Sequence, residues 1–294
     1  MMLSNKEQTI TLNFTRSIDL ESTVAAHGWV QLAPWNWDGH RLFRPERFGS
    51  TTGELSLHQI EPSRLVAEWT GATVPELEIV RCVRRWLSLD WESQAFCEIA
   101  RSLHPVLAAF VESGGGRFLR GSCFYEDFVK TICTINTTWE QTIRMVSALI
   151  VIGEGTFPSP AQILACGAEP LREKCRLGFR VGTVLRATER MLADGTLSEN
   201  GQADEAALTY KYLLGLWGIG PYAAAHCRMM LHDFSQLPVD SEVSAYLVSR
   251  GVGAECFATH FVSWGSYAFL GYKLPRVIEK TSWVEDQQFL LGGS

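Results

Sequence analysis

The hydrophobic pattern of this chain changes its period once, near residue 75, and this change limits the possible folds more than any other feature. Before that point, apolar residues alternate with polar ones or form short β-type runs in Thr9–Phe14, Glu54–Ile60 and Arg64–Trp69, as half-buried β-strands do. After it, beginning at Leu77, apolar residues recur at steps of three and four, as on one face of an α-helix. The sequence therefore predicts an α+β protein, mostly helical, in which a smaller antiparallel β-containing part comes first.

Three consecutive glycines, Gly114–Gly116, form the clearest break in the chain. We therefore predict a β-containing N-terminal domain over residues 1–112 and an all-helical domain over residues 113–294. In the first domain, the aromatic segment from Ala33 to Pro45 is expected to be a loop. The helices predicted in the second domain are Phe124–Cys133, Trp139–Ile152, Pro160–Ala165, Pro170–Leu177, Val181–Leu192, Ala206–Leu216, Pro221–His232 and Val243–Val248.

Composition narrows the setting and excludes some cofactors. The eight cysteines are scattered without a CxxC pair, and none of the seven histidines stands at ligand spacing, so neither zinc nor an iron–sulfur cluster is expected. No signal peptide and no apolar stretch of membrane-spanning length occurs, which predicts a cytoplasmic protein without a membrane partner. The net charge of −6 argues mildly against nucleic acid, but it does not describe any one face of the molecule.

Two apolar helical runs, Ala206–Leu216 and Pro221–His232, are joined by the short segment WGIG. Gly218 and Gly220 permit positive φ or a close approach of the backbone, and proline suits the first position of the second helix. Such a turn directs free N–H groups and the positive end of a helix outward, where an anion such as a backbone phosphate fits. A plain turn between two packed helices would explain the same glycines.

Several segments together resemble a DNA glycosylase superfamily whose signature is a helix-hairpin-helix, a Gly/Pro-rich loop and an aspartate. The motif LxxLWGIGPYAA is followed by Leu-Pro-Val-Asp, which ends at Asp240. Phe157–Gly178 resembles the helix pair that the superfamily begins with FPS, and Trp264–Ala268 looks like a late segment of the 3-methyladenine DNA glycosylase II branch. The resemblance covers roughly residues 116 to 273, and more loosely an N-terminal region shared with 8-oxoguanine glycosylase.

The resemblance implies that Asp240 is the catalytic residue. An ionised carboxylate stabilises the oxocarbenium-like sugar formed when an N-glycosidic bond breaks, and it can orient or deprotonate the attacking water. From its sequence context alone, Asp240 is the N-cap of the following helix, and both roles can hold at once. In bifunctional relatives a lysine two residues after the second glycine attacks the sugar; here that residue is Tyr222, which cannot form a Schiff base. A monofunctional enzyme that uses water is therefore expected.

The resemblance also implies residues that would bind the extruded base and the gap it leaves. Asn136, in the segment TINTT, corresponds to the wedge that fills the space of the flipped nucleotide. Tyr222, Trp264 and Tyr125 correspond to aromatic residues of the base pocket, which would stack on a cationic alkylated base. Ordinary packing explains these three aromatics equally well, and a polar turn explains the asparagine.

The hairpin itself would contact DNA phosphate through Gly218, Gly220 and Tyr222. In the superfamily, hairpin carbonyls also hold a monovalent cation, so a structural Na+ or K+ is expected here, while no cofactor is required for the chemistry. The carbonyls in question are those of Leu214, Leu216 and Ile219.

The resulting hypothesis is a monomeric, monofunctional DNA glycosylase that flips a modified base, foremost an alkylated purine, out of double-stranded DNA and hydrolyses its glycosidic bond. In a bacterium it would be associated with the nucleoid. Three alternatives stay open: a glycosylase for an oxidised purine or for a modified base of foreign phage DNA, a helix-hairpin-helix DNA-binding protein without catalysis, and a small-molecule enzyme with a phosphate-binding hairpin.

Overall fold

The structure, a computed structural model, describes residues 6–256, 259–281 and 283. The described chain divides into two compact units, residues 6–122 with 273–281 and 283, and residues 123–256 with 259–272. The division thus follows Ser122 rather than residue 112, and residues 273–281 and 283 join the first unit. Residues 1–5, 257–258, 282 and 284–294 of the two predicted domains lie outside the described residues.

Residues 113–122 belong to the first unit because their polar groups bond within it. Ser113 accepts a hydrogen bond from Trp283 Nε1 at 2.9 Å, and Ser122 accepts one from Trp86 Nε1 at 2.9 Å. The buried Arg117 donates to the Ser88 carbonyl at 2.8 Å. Glycines mark where a chain turns, but these side-chain partners decide on which side of a boundary the turn lies.

The first unit contains a five-stranded antiparallel sheet in the order β1-β5-β4-β3-β2. In register, Leu12 pairs with Leu65 and Leu55 pairs with Trp69. Its strands are β1 (Lys6–Asn13), β2 (Asn36–Trp37), β3 (Arg41–Phe48), β4 (Thr51–Glu61) and β5 (Arg64–Gly71). The helices of this part are α1 (Leu20–Ala25), α2 (Glu76–Trp86), α3 (Gln94–Leu103) and α4 (Pro105–Glu112). The strands predicted from alternation are confirmed, with ends shifted by one to three residues.

The predicted loop from Ala33 to Pro45 is wrong in its second half, because β3 begins at Arg41. A proline normally argues against a strand, since it lacks the N–H group of a sheet ladder. Here β2 pairs only with Leu42 and Phe43, so the edge of β3 beside Pro45 is open. On its other side Pro45 pairs with Glu54 of β4, and a strand with an open edge is where proline is tolerated.

The core of the first unit lies between the sheet and α2. Trp69 and Leu57 are fully buried on the sheet, and α2 packs against β5. The helix predicted from Leu77 onward is present as α2, but Leu77 itself is not on its buried face. Residues at steps of three and four from Ile79 to Trp86 are buried, whereas Leu77 is exposed.

The second unit is helical and is organised around α5. Every residue of α5 is buried, including Glu126 and Lys130, whose side chains form an ion pair at 2.7 Å. α5 packs against α6, α9 and α11. The helices from here on are α5 (Phe124–Cys133), α6 (Trp139–Ile152), α7 (Pro160–Cys166), α8 (Ala168–Glu173), α9 (Arg180–Ala193), α10 (Tyr210–Leu214), α11 (Pro221–Met230), α12 (Ser241–Ser249) and α13 (Ala268–Ile278). The predicted helices are confirmed in place, except that α8 begins two residues earlier and ends four residues earlier than predicted, and α10 is shorter.

The helix predicted over Ala206–Leu216 is much shorter than expected. It begins only at Tyr210, because Thr209 acts as its N-cap and accepts a hydrogen bond from the Tyr212 N–H at 3.1 Å. Before it, the Asp204 side chain accepts from the Ala206 N–H at 3.2 Å and holds a turn. Strong helix formers in this stretch are therefore overruled by two local side-chain bonds.

Across the part of the chain that the structure describes, no helix has the length and apolar character needed to cross a membrane.

Candidate functional site

The hairpin between α10 and α11 depends on one glycine for its shape. Gly218 has φ +78°, a backbone angle that residues other than glycine rarely adopt. A Cβ atom at this position would overlap the side chain of Thr183. The turn therefore lies directly on the first turn of α9, and Gly218 is required by packing inside the unit.

Gly220 differs from Gly218, because neither its backbone angle nor the packing around it requires a glycine. Its φ is −97°, and a Cβ atom there would have nothing within 4 Å. It is the N-cap of α11 and provides no side-chain hydrogen bond, and the first helical residue is Pro221. The N–H groups of the first helical turn have no partners within a helix. The positive end of a ten-residue helix is thus accessible to an anion.

The carbonyl groups predicted to hold a monovalent cation lie in the same turn. The Leu216 carbonyl accepts a hydrogen bond from the Ile219 N–H at 3.2 Å, which leaves it one further lone pair. Carbonyl oxygen is the ligand type that hard cations take, so the residues fit such an ion. The carbonyls of Leu214 and Ile219 complete the predicted set, and the cation site remains a prediction.

Asp240 is held rigidly at the start of α12. Its carboxylate accepts a hydrogen bond from the Val243 N–H at 2.8 Å, and its carbonyl accepts one from the Ser244 hydroxyl at 2.7 Å. The side chain is half-buried. The N-cap interpretation is therefore confirmed, and one carboxylate oxygen is free for other interactions because the cap bond uses only the other.

Tyr222 is a mostly buried phenol on the first turn of α11, within electrostatic range of Asp240. Burial raises the pKa of Tyr222 to about 12, and the negative charge of Asp240 adds to this increase. The Tyr222 hydroxyl pairs with the Thr134 hydroxyl at 3.2 Å. Two residues predicted from separate motifs are thus brought together, along with a threonine at the end of α5.

His226 continues this polar face one helical turn after Tyr222. Its Nδ1 lies 3.0 Å from the Thr131 hydroxyl, and its ring lies 5.9 Å from the ring of Tyr222. The sequence analysis did not identify His226, Thr131 or Thr134. The spacing of four between Tyr222 and His226, matched by Thr131 and Thr134 three apart on α5, was the available signal.

Asn136 is exposed at the tip of the loop between α5 and α6. Its φ is +47°, in the left-handed region that asparagine tolerates better than most residues. Arg180, buried at the start of α9, donates to the carbonyls of Ile135 and Asn136, the latter at 3.3 Å. The predicted wedge residue therefore projects from a loop whose backbone is fixed by an arginine.

Phe179 is a second exposed group beside this loop, and the sequence analysis did not select it. Its side chain is 61% exposed, and the Arg180 guanidinium lies 4.4 Å from its ring centre. Through Arg180, the aromatic ring and the Asn136 loop are parts of one surface. In the sequence, Phe179 was marked only as an aromatic residue followed by an arginine, just before the predicted helix.

Tyr125 and Trp264 have surroundings typical of core aromatics. Tyr125 is fully buried, its hydroxyl pairs with Thr188 at 2.8 Å, and burial raises its pKa well above the ordinary value. Trp264 is 8% exposed, and a Cβ atom on Gly271 would meet its indole at 2.6 Å. The described contacts bring neither residue to Tyr222 or Asp240. For Tyr125 and Trp264 the packing interpretation accounts for what is seen, and a role in the base pocket remains a prediction.

Within residues 6–256, 259–281 and 283, no group of three or more His, Cys, Asp or Glu side chains is placed to hold a metal ion. The chemistry that the site offers is instead that of a fixed carboxylate beside a neutral phenol, next to an open helix N-terminus. Such a set can stabilise a positive charge on a bound group while an anion is held nearby.

No protein-family model and no curated protein matches the sequence. Among solved structures, a 3-methyladenine DNA glycosylase from Archaeoglobus fulgidus superimposes with a TM-score of 0.66, covering 89% of this chain and 97% of that chain at 18% identity. The apo form of an 8-oxoguanine glycosylase/lyase from Clostridium acetobutylicum gives 0.66, covering 93% and 97% at 16% identity. Its complex with double-stranded DNA that contains cytosine opposite 8-oxoG gives 0.63, covering 92% and 95% at 16% identity. The chain therefore has the fold that these DNA glycosylases share, as the helix-hairpin-helix resemblance predicted.

Proposed function

We propose that this protein is a monofunctional DNA glycosylase that extrudes a modified base from duplex DNA and hydrolyses its N-glycosidic bond. The observation that carries the proposal is the position of Asp240, which is fixed by its own cap bond to Val243 and acts electrostatically on Tyr222 at the start of α11. The cap bond leaves the negative charge of Asp240 available to act on a group bound near Tyr222.

In the proposed reaction the bond between the base and C1′ of the sugar breaks, and the sugar develops positive charge. The Asp240 carboxylate stabilises that charge and orients a water molecule, which adds its hydroxyl to C1′. A cationic alkylated purine leaves as a neutral base, so the remaining proton of the water passes to the Asp240 carboxylate and from there to solvent. A base that is neutral in the nucleotide leaves as an anion and takes up that proton itself. The products are a free base and an intact strand with an abasic site.

The absence of a lyase step follows from the residue at the hairpin. Tyr222 has no amine and cannot form an imine with the sugar. Two lysines lie near the wedge loop and the hairpin in the sequence, Lys130 and Lys211. Lys130 is fully buried and paired with Glu126 at 2.7 Å, so it cannot reach a sugar. Lys211 is exposed on α10 and lines a groove whose lining residues do not include Tyr222.

DNA binding in this proposal uses two surfaces of the second unit. The open N-terminus of α11 at Gly220 binds a backbone phosphate. Asn136 enters the space of the extruded nucleotide, and the ring of Phe179 stacks beside it, which offsets part of the unstacking cost of a few kcal/mol. The net negative charge of the chain does not oppose this, because binding depends on the local surface.

We place alkylated purines first among the substrates, because the ring of Tyr222 can stack on a base made electron-poor by alkylation. Asn136 supports the second candidate, an oxidised purine, since its amide can hydrogen-bond the orphaned partner base. A modified base of foreign DNA stays as a third.

The experiment is incubation with a panel of duplexes, each carrying one alkylated purine, oxidised purine or modified pyrimidine, followed by separation of the strands before and after alkali. Release of an alkylated purine, with strand cutting only after alkali, is the expected result. Release of another base would support the glycosylase activity and identify a different substrate. Binding to DNA without release of any base would instead support a non-catalytic DNA-binding protein.

A further inference from the structure

The second unit has a groove that the proposed reaction does not use. Its volume is about 570 Å³, and it lies between α9 and the segment formed by α10 and the following turn. Among the side chains that line it are Arg186, Arg190, Lys211, Tyr212 and Trp217. None of the lining residues is acidic. A chain with a net charge of −6 thus has a local surface of the opposite sign.

Trp217 forms the wall of this groove next to the hairpin. The side chain is 52% exposed, although tryptophan is usually largely buried. A Cβ atom on Gly182 would meet the indole at 2.9 Å, so the edge of the ring rests on α9. The Arg186 guanidinium lies 4.4 Å from the ring centre. The indole therefore packs on α9 and stacks with the Arg186 guanidinium.

The cations of the groove are unequally neutralised. Arg186 and Arg190 stand four residues apart on α9 and face the same side. Arg190 forms an ion pair with Asp194 at 3.1 Å, and Tyr212 donates to the same carboxylate at 2.8 Å. For Arg186 and Lys211 the described part of the chain provides no carboxylate within ion-pair distance. Two positive charges in this groove are thus left for a ligand.

We propose that this groove binds the phosphodiester backbone of DNA beside the phosphate held by the hairpin. The proposal rests on the proposed function, because Trp217 directly precedes Gly218 and the groove borders the same turn. Backbone is favoured over bases because Arg186 already covers the ring of Trp217, which leaves a guanidinium rather than an aromatic face to the ligand. Arginine and lysine bind phosphate groups in this way.

The test measures the affinity of the full chain for undamaged DNA as a function of salt, so that no base excision is needed. The groove variant is Arg186→Ala/Lys211→Ala. Its matched control, Arg81→Ala/Lys280→Ala, removes one exposed arginine and one exposed lysine from the first unit. Each phosphate contact contributes about 0.9 to the slope of log affinity against log salt, or about 3.5-fold between 50 and 200 mM. Loss of two contacts reduces the affinity change over that interval by about 12-fold, while the control leaves it unchanged.

DNA length and strandedness distinguish the sources of the phosphate. Blunt duplexes of increasing length, and duplexes with a single-stranded extension, are compared with both variants. The smaller salt slope of the groove variant should appear only with duplexes long enough to reach the groove. When a short duplex carries a single-stranded extension, the strand whose extension makes this difference appear is the strand bound in the groove. Equal slopes for the groove variant and the control at every length would overturn the proposal.

Two further measurements separate this inference from the proposed function. If Gly220→Val weakens DNA binding but the groove variant behaves as the control does, the hairpin binds DNA and the groove does not. If the groove variant loses binding to poly-L-glutamate and keeps its DNA slope, the groove binds an acidic protein, which also overturns the proposal. If the wild-type chain binds no DNA, the proposed function fails together with it.

Discussion

The two roles of Asp240 can be separated by two substitutions at the same position. As a helix N-cap, Asp240 accepts a hydrogen bond from the Val243 N–H at 2.8 Å. In Asp240→Asn the amide oxygen can accept the same bond, because asparagine caps helices as well as aspartate does. In Asp240→Ala the bond is lost. Only the charge is absent from the asparagine variant, whereas both charge and cap are absent from the alanine variant.

The expected magnitudes follow from these differences. The free energy of unfolding of Asp240→Asn should stay within about 0.5 kcal/mol of the wild-type value. That of Asp240→Ala should be lower by about 1 kcal/mol. For units of this size, that loss corresponds to a decrease in Tm of roughly 2–4 °C. Both variants should lose base excision by at least about 10²–10³-fold, since removal of one group that stabilises transition-state charge has that effect. Their affinity for undamaged duplex should stay within a few-fold of the wild type.

The assay combines thermal unfolding with single-turnover excision on the duplex that the panel identifies. Asp19 provides a matched control, since it caps α1 in the first unit and accepts from the Ser22 N–H at 2.9 Å. Asp19→Ala should lose stability as Asp240→Ala does, without losing excision beyond the fraction that unfolds. Near-wild-type excision by Asp240→Asn would show that the aspartate is only a cap, and the assignment of the catalytic residue would be wrong.

Five further outcomes are expected. Gly220→Val should cost less than about 1 kcal/mol of stability, because a side chain there meets open space, yet it should weaken binding to all duplexes by roughly 10-fold. Gly218→Val should instead lower stability by about 1–3 kcal/mol, from its positive φ and the overlap with a neighbouring side chain; equal unfolding of the two variants would contradict this distinction. Asn136→Gly, which keeps the left-handed backbone available, should slow excision from a paired duplex more than from one whose target base is unpaired. Borohydride should trap little enzyme–DNA adduct, and efficient trapping that is lost in Lys211→Ala would overturn the water mechanism. Finally, the pKa of Tyr222 is raised to about 12, so its protonated phenol stabilises the fold below pH ~10, and this contribution is lost as the pH rises toward ~12. Over that pH range, denaturant titrations should therefore show a smaller loss of stability for Tyr222→Phe than for the wild type.

The sequence by itself determined the class of fold and the location of the hairpin. The change of hydrophobic period near residue 75 shows where the chain passes from strands to helices, because each kind of element buries one face with its own spacing of apolar residues. The motif from Leu213 to Ala224 predicted a turn at Gly218, and the structure confirms that only glycine fits there. The N-cap at Asp240 was also predictable, because a cap is a contact over three residues.

Only the tertiary structure decided which of the candidate residues meet. Tyr222, Thr134 and Asp240 come from three separate segments, and no local pattern specifies a contact between distant segments. Tyr125 shows the opposite case, since its type suits a pocket but its hydroxyl is bound to Thr188 in the core.

The ends of elements and the local sign of charge were likewise decided by three-dimensional contacts. α10 begins at Tyr210 because Thr209 caps it, although the preceding alanines favour helix. The cationic groove at Arg186 and Lys211 was hidden by a net charge of −6, because composition sums over the whole surface while a ligand meets one part of it. Propensity and composition are averages over the chain, whereas capping bonds and clustered charges depend on which atoms the fold places together.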